Sequence, residues 1–392
     1  MSHKALTFAG PAVPFELTDR PTPKPGPDQV LIKNVAAALN PADYIIQHLG
    51  IWVDHFGYPA LVGLDGAGEI VAIGEGVQGR NVGDRVLYNS NIHPDTMTFQ
   101  EYGIADAVQT AKIPPNVSFE QASTLPVGFA TAAIGLYQES KPRGGIALTA
   151  PWEEGGLNKY AGQTALVTGG ASSVGQFAIQ LLRLSGFSPI IATASKHNEA
   201  YCKAAGATHV IDYHDVPYSD LPAAVKKITS EPISVIYDAV ALPDVQKAVW
   251  EILAPNGSLA SVAPPSFGKD GERNEDGKLV SWVYGSANGP YGSANGPYNY
   301  EFGKKMYVAI TKLLESGDIK PNNVEIVPNG LAGIPDALTQ LALKKVSGVK
   351  LVARVAETSG PVGGAGLKDA IPAWYASLRP HFGPPGSLPN PF

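Results

Sequence analysis

The clearest pattern of hydrophobic and polar positions lies in residues 163–186. A short apolar run at 165–167 predicts a buried strand, a glycine-rich turn follows at 168–175, and apolar positions then recur at helical spacing up to Gly186. A strand, a glycine-rich turn and a helix in this order form the first unit of a dinucleotide-binding fold, in which backbone N–H groups and the positive helix end face a pyrophosphate. The pattern therefore predicts that a cofactor-binding unit begins at this strand.

Strands and helices alternate after this unit. The sequence predicts a helix at 242–253 and strands at 189–194, 210–213, 233–238 and 258–262. Parallel strands joined by crossover helices make a doubly wound sheet. We therefore expect an α/β (Rossmann) domain in the middle of the chain.

The first 130 residues have a different pattern, rich in Gly, Pro and short alternating apolar runs. Strands are predicted at 15–17 and 29–35, and a glycine-bent strand pair at 63–74. This pattern is typical of a small, bent β-barrel or β-sandwich. Residues 118–137 then read as a helix with Ser118 as its N-cap. Near the C-terminal side, helices are predicted at 302–314 and 334–344 and strands at 324–327 and 350–355.

The phosphate fingerprint G-x-G-x-x-G is altered to Gly170-x-Ser172-x-x-Gly175. A serine hydroxyl can itself donate to phosphate, so the change is compatible with binding; the alternative is an ordinary strand–helix turn. About 20 residues further on, an NAD enzyme has an acid for the ribose 2′-OH, whereas this chain has Ser195 and Lys196. A hydroxyl and a cation suit a 2′-phosphate, so the sequence favours NADP over the alternative of a solvated loop.

Three segments interrupt these patterns. Residues 139–162 are polar and rich in Gly and Pro, and we expect a surface or functional loop there. Residues 284–290 and 291–297 both read YGSANGP, which we interpret as a duplicated loop. Residues 359–392 form an extended Pro/Gly-rich tail.

Composition narrows the class of protein. The 392 residues are 44% hydrophobic, enough for two domains with cores, and the net charge of −6 gives no broad basic surface for nucleic acid. The single cysteine, Cys202, excludes an intrachain disulfide and a four-cysteine zinc site. There is no run of 18 apolar residues and no apolar signal core at the N-terminus, so we expect a cytoplasmic protein.

Several motifs together resemble the medium-chain dehydrogenase/reductase superfamily, over about residues 4–356. They are Gly63-x-Asp65-x-x-Gly68, the Gly-Asp-Arg-Val run at 83–86, and the nucleotide fold after them. Asn40-Pro41-x-Asp43 is similar to the Asn-Pro-x-Asp motif of the zinc-free quinone and enoyl reductases, and residues 182–186 and 195–198 resemble the fungal trans-acting enoyl reductases. The resemblance implies a GroES-like bent β-barrel catalytic domain at 1–130 and 300–358, a Rossmann NADP-binding domain at 131–299, and the tail at 359–392.

The resemblance also implies which residues contact NADPH. They are Asn40, Thr131, Ala171, Ser172, Ser173, Val174, Ser195, Lys196, His197, Asn198, Tyr213, Ser261 and Val262. The alternatives are that Tyr213 is a packed aromatic and that Thr131 is an ordinary helix residue.

Two departures from related enzymes concern the chemistry. The zinc alcohol dehydrogenases use two cysteines and a histidine, whereas the corresponding positions here are at or near Asn40, Asp65 and a cysteine-free stretch at 123–127, so we expect no metal site. The fungal enoyl reductases often carry a lysine two positions after Asn-Pro-x-Asp, where this chain has Ile45. Tyr44 is the candidate catalytic donor to a carbonyl, with aromatic packing as the alternative.

The sequence thus predicts a zinc-independent, NADPH-dependent reductase that transfers hydride to the C=C bond of α,β-unsaturated carbonyl compounds. The alternatives are an NADPH-dependent quinone oxidoreductase and a non-catalytic NADPH-binding protein. The expected substrate is a small enone, enal or quinone, free or bound to a carrier protein, and the expected protein is a monomer or homodimer that binds neither nucleic acid nor membrane.

Overall fold

The computed structural model describes residues 1–51, 53, 56–140, 144–288 and 296–364, with the backbone alone for 296–298. The chain forms two compact units. The first consists of Met1–Val127, Ala287–Glu315 and Pro321–Phe392, and the second of Gly128–Ser286 and Ser316–Lys320. No helix in the described ranges has the length and apolar character needed to cross a membrane.

The elements alternate differently in the two units. The strands are β1 (Ser2–Phe8), β2 (Phe15–Pro21), β3 (Gln29–Ala38), β4 (Ala60–Leu61), β5 (Asp65–Ile73), β6 (Arg85–Asn89), β7 (Tyr102–Asp106), β8 (Thr110–Lys112), β9 (Ala165–Thr168), β10 (Ile190–Thr193), β11 (His209–Ile211), β12 (Ile233–Asp238), β13 (Leu253–Ser261), β14 (Leu279–Trp282), β15 (Val324–Val327) and β16 (Lys350–Arg354). The helices are α1 (Pro41–Leu49), α2 (Phe119–Ser123), α3 (Pro126–Tyr137), α4 (Ser173–Leu184), α5 (Glu199–Ala205), α6 (Leu221–Ile228), α7 (Pro243–Ile252), α8 (Gly296–Ser316) and α9 (Ile334–Ala342).

The first unit is built on a curled, mostly antiparallel sheet of seven strands. Its order is β15-β16-β3-β5-β6-β8, with β7 also paired to β3, and a second sheet has the order β2-β1-β4. The register of β3 against β5 shifts twice, and such irregularities bend a strand. At Gly68 a Cβ would lie 2.1 Å from the carbonyl oxygen of Lys33, so only glycine lets the two strands approach there. This is the GroES-like fold that the resemblance implied.

The second unit contains the predicted doubly wound sheet. Six parallel strands have the order β11-β10-β9-β12-β13-β14. The chain starts at the central strand β9, proceeds outwards to β11 and then returns to the other side at β12. In open α/β sheets a ligand binds outside the carboxyl ends of the strands at such a reversal. The start of α4, which follows β9 directly, lies at this point.

Some elements differ from the sequence predictions. Residues 63–74 contain one long strand, β5, rather than a strand pair, and the helix predicted at 118–137 is two helices because Pro126 starts a new one. Helix α1 and strand β14 were not predicted. Strand β14 is a four-residue apolar run after a polar segment, which is too short for a periodic signal.

The described part of the segment predicted as a loop, residues 144–162, is packed on the second unit. The ring of Tyr160 stacks on Phe187 with centroids 5.1 Å apart, and the backbone N–H of Tyr160 donates to the carbonyl oxygen of Ser185 at 2.9 Å. The ring of Trp152 lies 5.3 Å from that of Tyr137 on α3. These contacts fix the segment against helix α3 and the residues that follow α4.

Candidate active site

The glycine-rich turn between β9 and α4 has the geometry of a phosphate cradle. Gly169 has a φ of +61°, and a Cβ on Gly175 would lie 2.2 Å from the carbonyl oxygen of Gly169. Both glycines are therefore needed for the turn to fold back on the helix. In the part of the chain that the structure describes, the N–H groups of Ala171 and Val174 donate to no protein acceptor. Free amides at a helix N-terminus are the donors that a pyrophosphate requires.

Ser172 occupies the position of the second fingerprint glycine and is the N-cap of α4. Its Oγ accepts a hydrogen bond from the N–H of Gly175 at 3.0 Å. Since the oxygen acts as acceptor in the cap, the hydroxyl proton stays available for a phosphate oxygen. The neighbouring Ser173 and Val174 are half-buried in the first turn of α4. The turn thus fits a dinucleotide phosphate despite the missing glycine.

A row of four buried polar side chains crosses the carboxyl ends of the strands. Thr168 on β9 pairs in register with Asp238 on β12, which pairs with Ser261 on β13; Thr193 ends the neighbouring strand β10. Thr168 Oγ1 donates to Asp238 Oδ1 at 2.5 Å, and burial raises the pKa of Asp238. Ser261 Oγ donates to the carbonyl oxygen of Ala263 at 3.1 Å. The row fixes the strand ends beneath the turn.

Two further residues predicted to contact the cofactor lie near this row. The N–H of Val262 donates to the carbonyl oxygen of Asp238 at 3.1 Å, which places the residue beside the end of β12. Thr131 lies on α3, and its carbonyl oxygen accepts from the Tyr237 hydroxyl at 2.8 Å. A Cβ on Gly285 would lie 2.3 Å from Thr131 Oγ1, so the backbone of residue 285 approaches this hydroxyl closely.

The residues predicted for the 2′-phosphate come together after β10. Ser195 Oγ and the Tyr213 hydroxyl are 2.8 Å apart, and the Tyr213 ring stacks on Tyr218 at 6.2 Å between centroids. Lys196 and His197 are exposed, Asn198 is buried, and among the described residues Lys196 Nζ forms no ion pair. Tyr213 is 37% exposed, so part of its side chain is accessible from solvent.

Sequence reasoning missed an acid at this turn. The carboxylate of Asp212, which follows β11, accepts from the N–H of Lys196 at 2.8 Å. It also accepts from the N–H of His214 at 2.9 Å and contacts His214 Nδ1 at 2.9 Å. Hydrogen bonds from His214 hold the pKa of Asp212 below its usual value. An acid was expected only at the end of β10, whereas this one arrives from the neighbouring strand.

In the first unit, the Asn-Pro-x-Asp motif lies in a buried charged network. Lys350 Nζ donates to Asn40 Oδ1 at 2.6 Å and lies 3.0 Å from Asp65 Oδ2, which also accepts from Asn40 Nδ2 at 2.9 Å. The second oxygen of Asp65 accepts from the N–H of Val127, at the start of α3, at 2.6 Å. Lys350 is only 5% exposed and was not predicted, because 310 residues separate it from Asn40.

The Asn40 amide is therefore held in one orientation by internal partners, one at each end. The backbone N–H of Asn40 donates in addition to Asp43 Oδ2 at 2.7 Å, which ties the start of α1 together. Burial raises the pKa of Asp43 to about 8. Burial thus favours the neutral form of Asp43, while Lys350 and Asp65 form the ion pair of the network.

Tyr44, the predicted donor, lies on α1 among apolar side chains. It is 3% exposed and belongs to the same core cluster as Leu39, Ile46 and Leu64. Such an environment is the one expected if Tyr44 is a packed aromatic, which was the alternative to a catalytic role. A role of its hydroxyl as a proton or hydrogen-bond donor stays a prediction.

The residues at the positions of zinc ligands in related enzymes make a poor metal site. Asp65 and Asn40 already bind the Lys350 ammonium, so a metal ion would have to displace a buried cation. Across the described ranges, no group of three or more His, Cys, Asp or Glu side chains is placed to hold a metal ion.

Comparison with known proteins gives the family. The GroES-like domain of alcohol dehydrogenases matches residues 26–115, and the zinc-binding dehydrogenase family matches residues 173–275. The solved quinone oxidoreductase of Coxiella burnetii is 26% identical, with a TM-score of 0.65, over 91% of this chain and 100% of its own. The fold of this enzyme class binds a nicotinamide cofactor.

Curated relatives extend the match to nearly the whole length. The trans-enoyl reductase grgB of Penicillium sp is 32% identical over 349 residues, covering 86% of this chain and 93% of the relative. The trans-enoyl reductase thnE of Trichoderma harzianum is 30% identical over 369 residues, covering 90% and 96%. The chain is therefore an oxidoreductase of the medium-chain dehydrogenase/reductase superfamily and belongs to the family of the fungal trans-enoyl reductases.

Proposed function

We propose that the protein is a zinc-independent, NADPH-dependent enoyl reductase that acts on the C=C bond of α,β-unsaturated carbonyl compounds. The observation that carries the proposal is the match to trans-enoyl reductases along 93% of a relative's length. We further propose that the second unit serves as the cofactor domain and the first as the catalytic domain.

The cofactor preference is supported by the turn after β10. Ser195, Lys196 and Tyr213 present two hydroxyls and an ammonium, and these groups bind a 2′-phosphate by charge-assisted hydrogen bonds. The free amides of Ala171 and Val174 and the hydroxyl of Ser172 would hold the pyrophosphate. When bound, NADPH supplies the hydride that adds to the β-carbon of the substrate.

The chain itself must stabilise the charge that forms on the substrate. Hydride addition to a conjugated alkene places negative charge on an enolate oxygen, which one or two hydrogen-bond donors can stabilise. Reduction of an isolated ketone would leave a localised alkoxide, which requires a stronger electrophile. We assign the donor role to Tyr44, and the α-carbon takes its proton from water or a side chain.

The charged network of Lys350, Asp65 and Asn40 places a buried ion pair at the Asn-Pro-x-Asp motif of the first unit. The Lys350 ammonium donates to the side chain of Asn40 and is the cation at the Asn-Pro-x-Asp motif. The fungal enoyl reductases often carry a lysine two positions after this motif, where this chain has Ile45. The ion pair of Lys350 and Asp65 fixes the Asn40 amide and the N-terminus of α3. Asn40 is then a polar group held in one orientation at the N-cap of α1.

The substrate is proposed as an enone or enal, either free or attached to a carrier protein. A second candidate function is NADPH-dependent quinone reduction, which the match to the Coxiella burnetii quinone oxidoreductase favours. The two share cofactor and fold and differ in the electrophile.

The test is an assay of NADPH consumption with a panel of enones, enals and quinones. In deuterated solvent we expect an enone to give the saturated ketone, with deuterium at the α-carbon. Tyr44→Phe should lower kcat by about tenfold if the hydroxyl acts mainly in the transition state. An allylic alcohol as the main product would overturn the proposal, and turnover of quinones alone would establish the second candidate.

A further inference from the structure

We infer that Asp212 limits the preference for NADPH over NADH. Its carboxylate lies at the turn that contains Lys196 and repels the 2′-phosphate, which Lys196 attracts. The inference rests on the proposed NADPH site and adds to it a residue that works in the opposite direction. It concerns only the adenosine end of the cofactor and is independent of the reaction catalysed.

The position of Asp212 is fixed by hydrogen bonds on both carboxylate oxygens. Oδ2 accepts from the N–H of Lys196 at 2.8 Å, and Oδ1 accepts from the N–H of His214 at 2.9 Å. The next residue along the chain, Tyr213, contacts Ser195 at 2.8 Å. The side chain of Asp212 is 16% exposed, so its charge is only partly screened by water. The carboxylate thus belongs to the same small group of residues as the proposed phosphate ligands.

The chemistry of this group is mixed. An acid at this turn accepts hydrogen bonds from ribose hydroxyls and so favours NADH, whereas a lysine and hydroxyls favour the 2′-phosphate. Asp212 and Lys196 therefore act on the same ligand group with opposite sign. The imidazole of His214, whose Nδ1 lies 2.9 Å from Asp212 Oδ1, offsets part of the negative charge only when it is protonated.

Asp212 also connects the end of β11 to the turn after β10 by its hydrogen bond to Lys196. If this connection were its only role, replacing Asp212 would affect the two cofactors differently from the removal of a repulsive charge. A structural clip supports both cofactors equally, so its loss would weaken both. A charge that opposes the 2′-phosphate changes the ratio between them. The ratio of the two affinities therefore separates the two roles.

The experiment titrates NADPH and NADH into the parent, Asp212→Asn and Asp215→Asn proteins at low ionic strength, using nucleotide fluorescence, with 2′,5′-ADP as a competitor. Asp215 is an exposed acid three residues further on, so its variant makes the same charge change outside the hydrogen-bonded group. We expect Asp212→Asn to bind NADPH and 2′,5′-ADP about three- to tenfold tighter and NADH no tighter, while Asp215→Asn changes each by less than about twofold.

An unchanged ratio, or an equal weakening of both cofactors, in a folded Asp212→Asn protein would overturn the inference alone. A parent protein that does not bind NADPH would overturn the proposed function together with this inference. Asp212→Ser, which keeps a small polar group, replaces Asp212→Asn if that variant does not fold, and the same change in ratio is expected of it.

Discussion

Lys196 is the residue on which the cofactor preference depends most directly. Its ammonium is exposed and forms no ion pair in the described part of the chain, so a 2′-phosphate would be its first strong partner. We expect the parent protein to bind NADPH at least about tenfold tighter than NADH, and Lys196→Ala to narrow this gap by about 1–3 kcal/mol. Equilibrium titration with both cofactors measures the gap. Equal affinities in the parent protein would show that the turn does not recognise the phosphate.

Asp43 gives the protein a stability that depends on pH. Burial raises its pKa from the ordinary 3.8 to about 8, so between these values the folded state holds a proton that the unfolded state has released. The stabilisation is fully present below about pH 4 and is lost as the pH rises towards 8, with a slope of up to about 1.4 kcal/mol per pH unit. Asp43→Asn, which mimics the protonated acid, should flatten this dependence.

Urea unfolding of the parent and Asp43→Asn proteins at pH 5, 6.5 and 8 measures the effect. The matched control is Asp19→Asn, an exposed acid on β2, which should keep the slope of the parent protein. A slope in Asp43→Asn as steep as in the parent would mean that other groups take up the proton.

At the scale of single residues, the contacts of the predicted residues with a cofactor stay predictions, and the partners of Asn40 in the charged network were missed. Ser172 and Ser195 were predicted from their spacing after strands, and the structure places them at the N-caps of α4 and of a short 3-10 helix at Lys196–Asn198. The partners of Asn40 were not predictable in this way, because Asp65 and Lys350 reach it through sheet pairing. β16 pairs with β3, which ends just before Asn40, and no local pattern encodes that pairing.

At the scale of elements, the open question is whether one copy of the duplicated segment, 284–290 or 291–297, is an inserted loop. The first copy is partly packed: Ala287 is fully buried, Asn288 donates to the carbonyl oxygen of Asn89, and the Tyr307 hydroxyl lies 3.2 Å from Asn288 Oδ1. Most of the second copy, 291–295, lies outside the described residues, and its last two residues begin α8. The interpretation of one copy as an inserted loop stays a prediction.

Deletion of seven residues tests this interpretation with a single variant, because the two copies are identical and removing either gives the same chain. We expect the melting temperature to change little, since doubling a loop costs only about 0.6 kcal/mol. Asn288→Ala is the comparison variant and should cost about 1–3 kcal/mol, because it removes the partner of a buried hydroxyl. A deletion more damaging than Asn288→Ala would mean that both copies are packed.

Helices and strands were predictable from the sequence where their apolar positions are periodic. They were not predictable where a functional motif or the pairing of strands determines the structure. Apolar runs bounded by glycine-rich turns predicted strands β9, β10 and β12 and helix α4. Helix α1 was missed because the Asn-Pro-x-Asp motif overlaps its first turn. Asn40 is the N-cap and Pro41 the first helical residue, so polar positions interrupt the apolar spacing of a helix of only nine residues. The acid Asp212 was missed because an acid was expected at the end of β10, whereas Asp212 follows β11, which pairs with β10 in parallel.

For the whole molecule, the two fold classes were predictable because each has its own period. The first unit alternates short apolar runs with glycine-rich turns, and the second alternates strands with helices. The resemblance implied that the chain returns to the first type of fold after residue 300, and α8, β15, α9 and β16 lie in the first unit apart from the last residue of α8. The predicted domain boundaries and the tail beyond residue 364 are not tested by these features, and the latter lies outside the described residues.

Metal independence is the prediction that concerns the molecule as a whole, because relatives within the superfamily differ on it. Asp65 accepts hydrogen bonds from Lys350, Asn40 and the N–H of Val127, so binding zinc there would leave a buried ammonium without its carboxylate. Breaking a buried ion pair in this way costs about 3–5 kcal/mol, which weakens a metal site at that position. We therefore expect purified protein to contain far less than one zinc per chain.

The measurement is elemental analysis, followed by NADPH-dependent enone reduction before and after dialysis against a chelator. Activity and melting temperature should both be unchanged, because the cation that orients Asn40 is a lysine of the chain itself. Lys350→Met provides the contrast: it removes that cation, leaves Asp65 unpaired, and should lower the melting temperature in the presence or absence of zinc. One tightly held zinc per chain, lost to the chelator together with the activity, would show that Asp65 and Asn40 serve a metal after all.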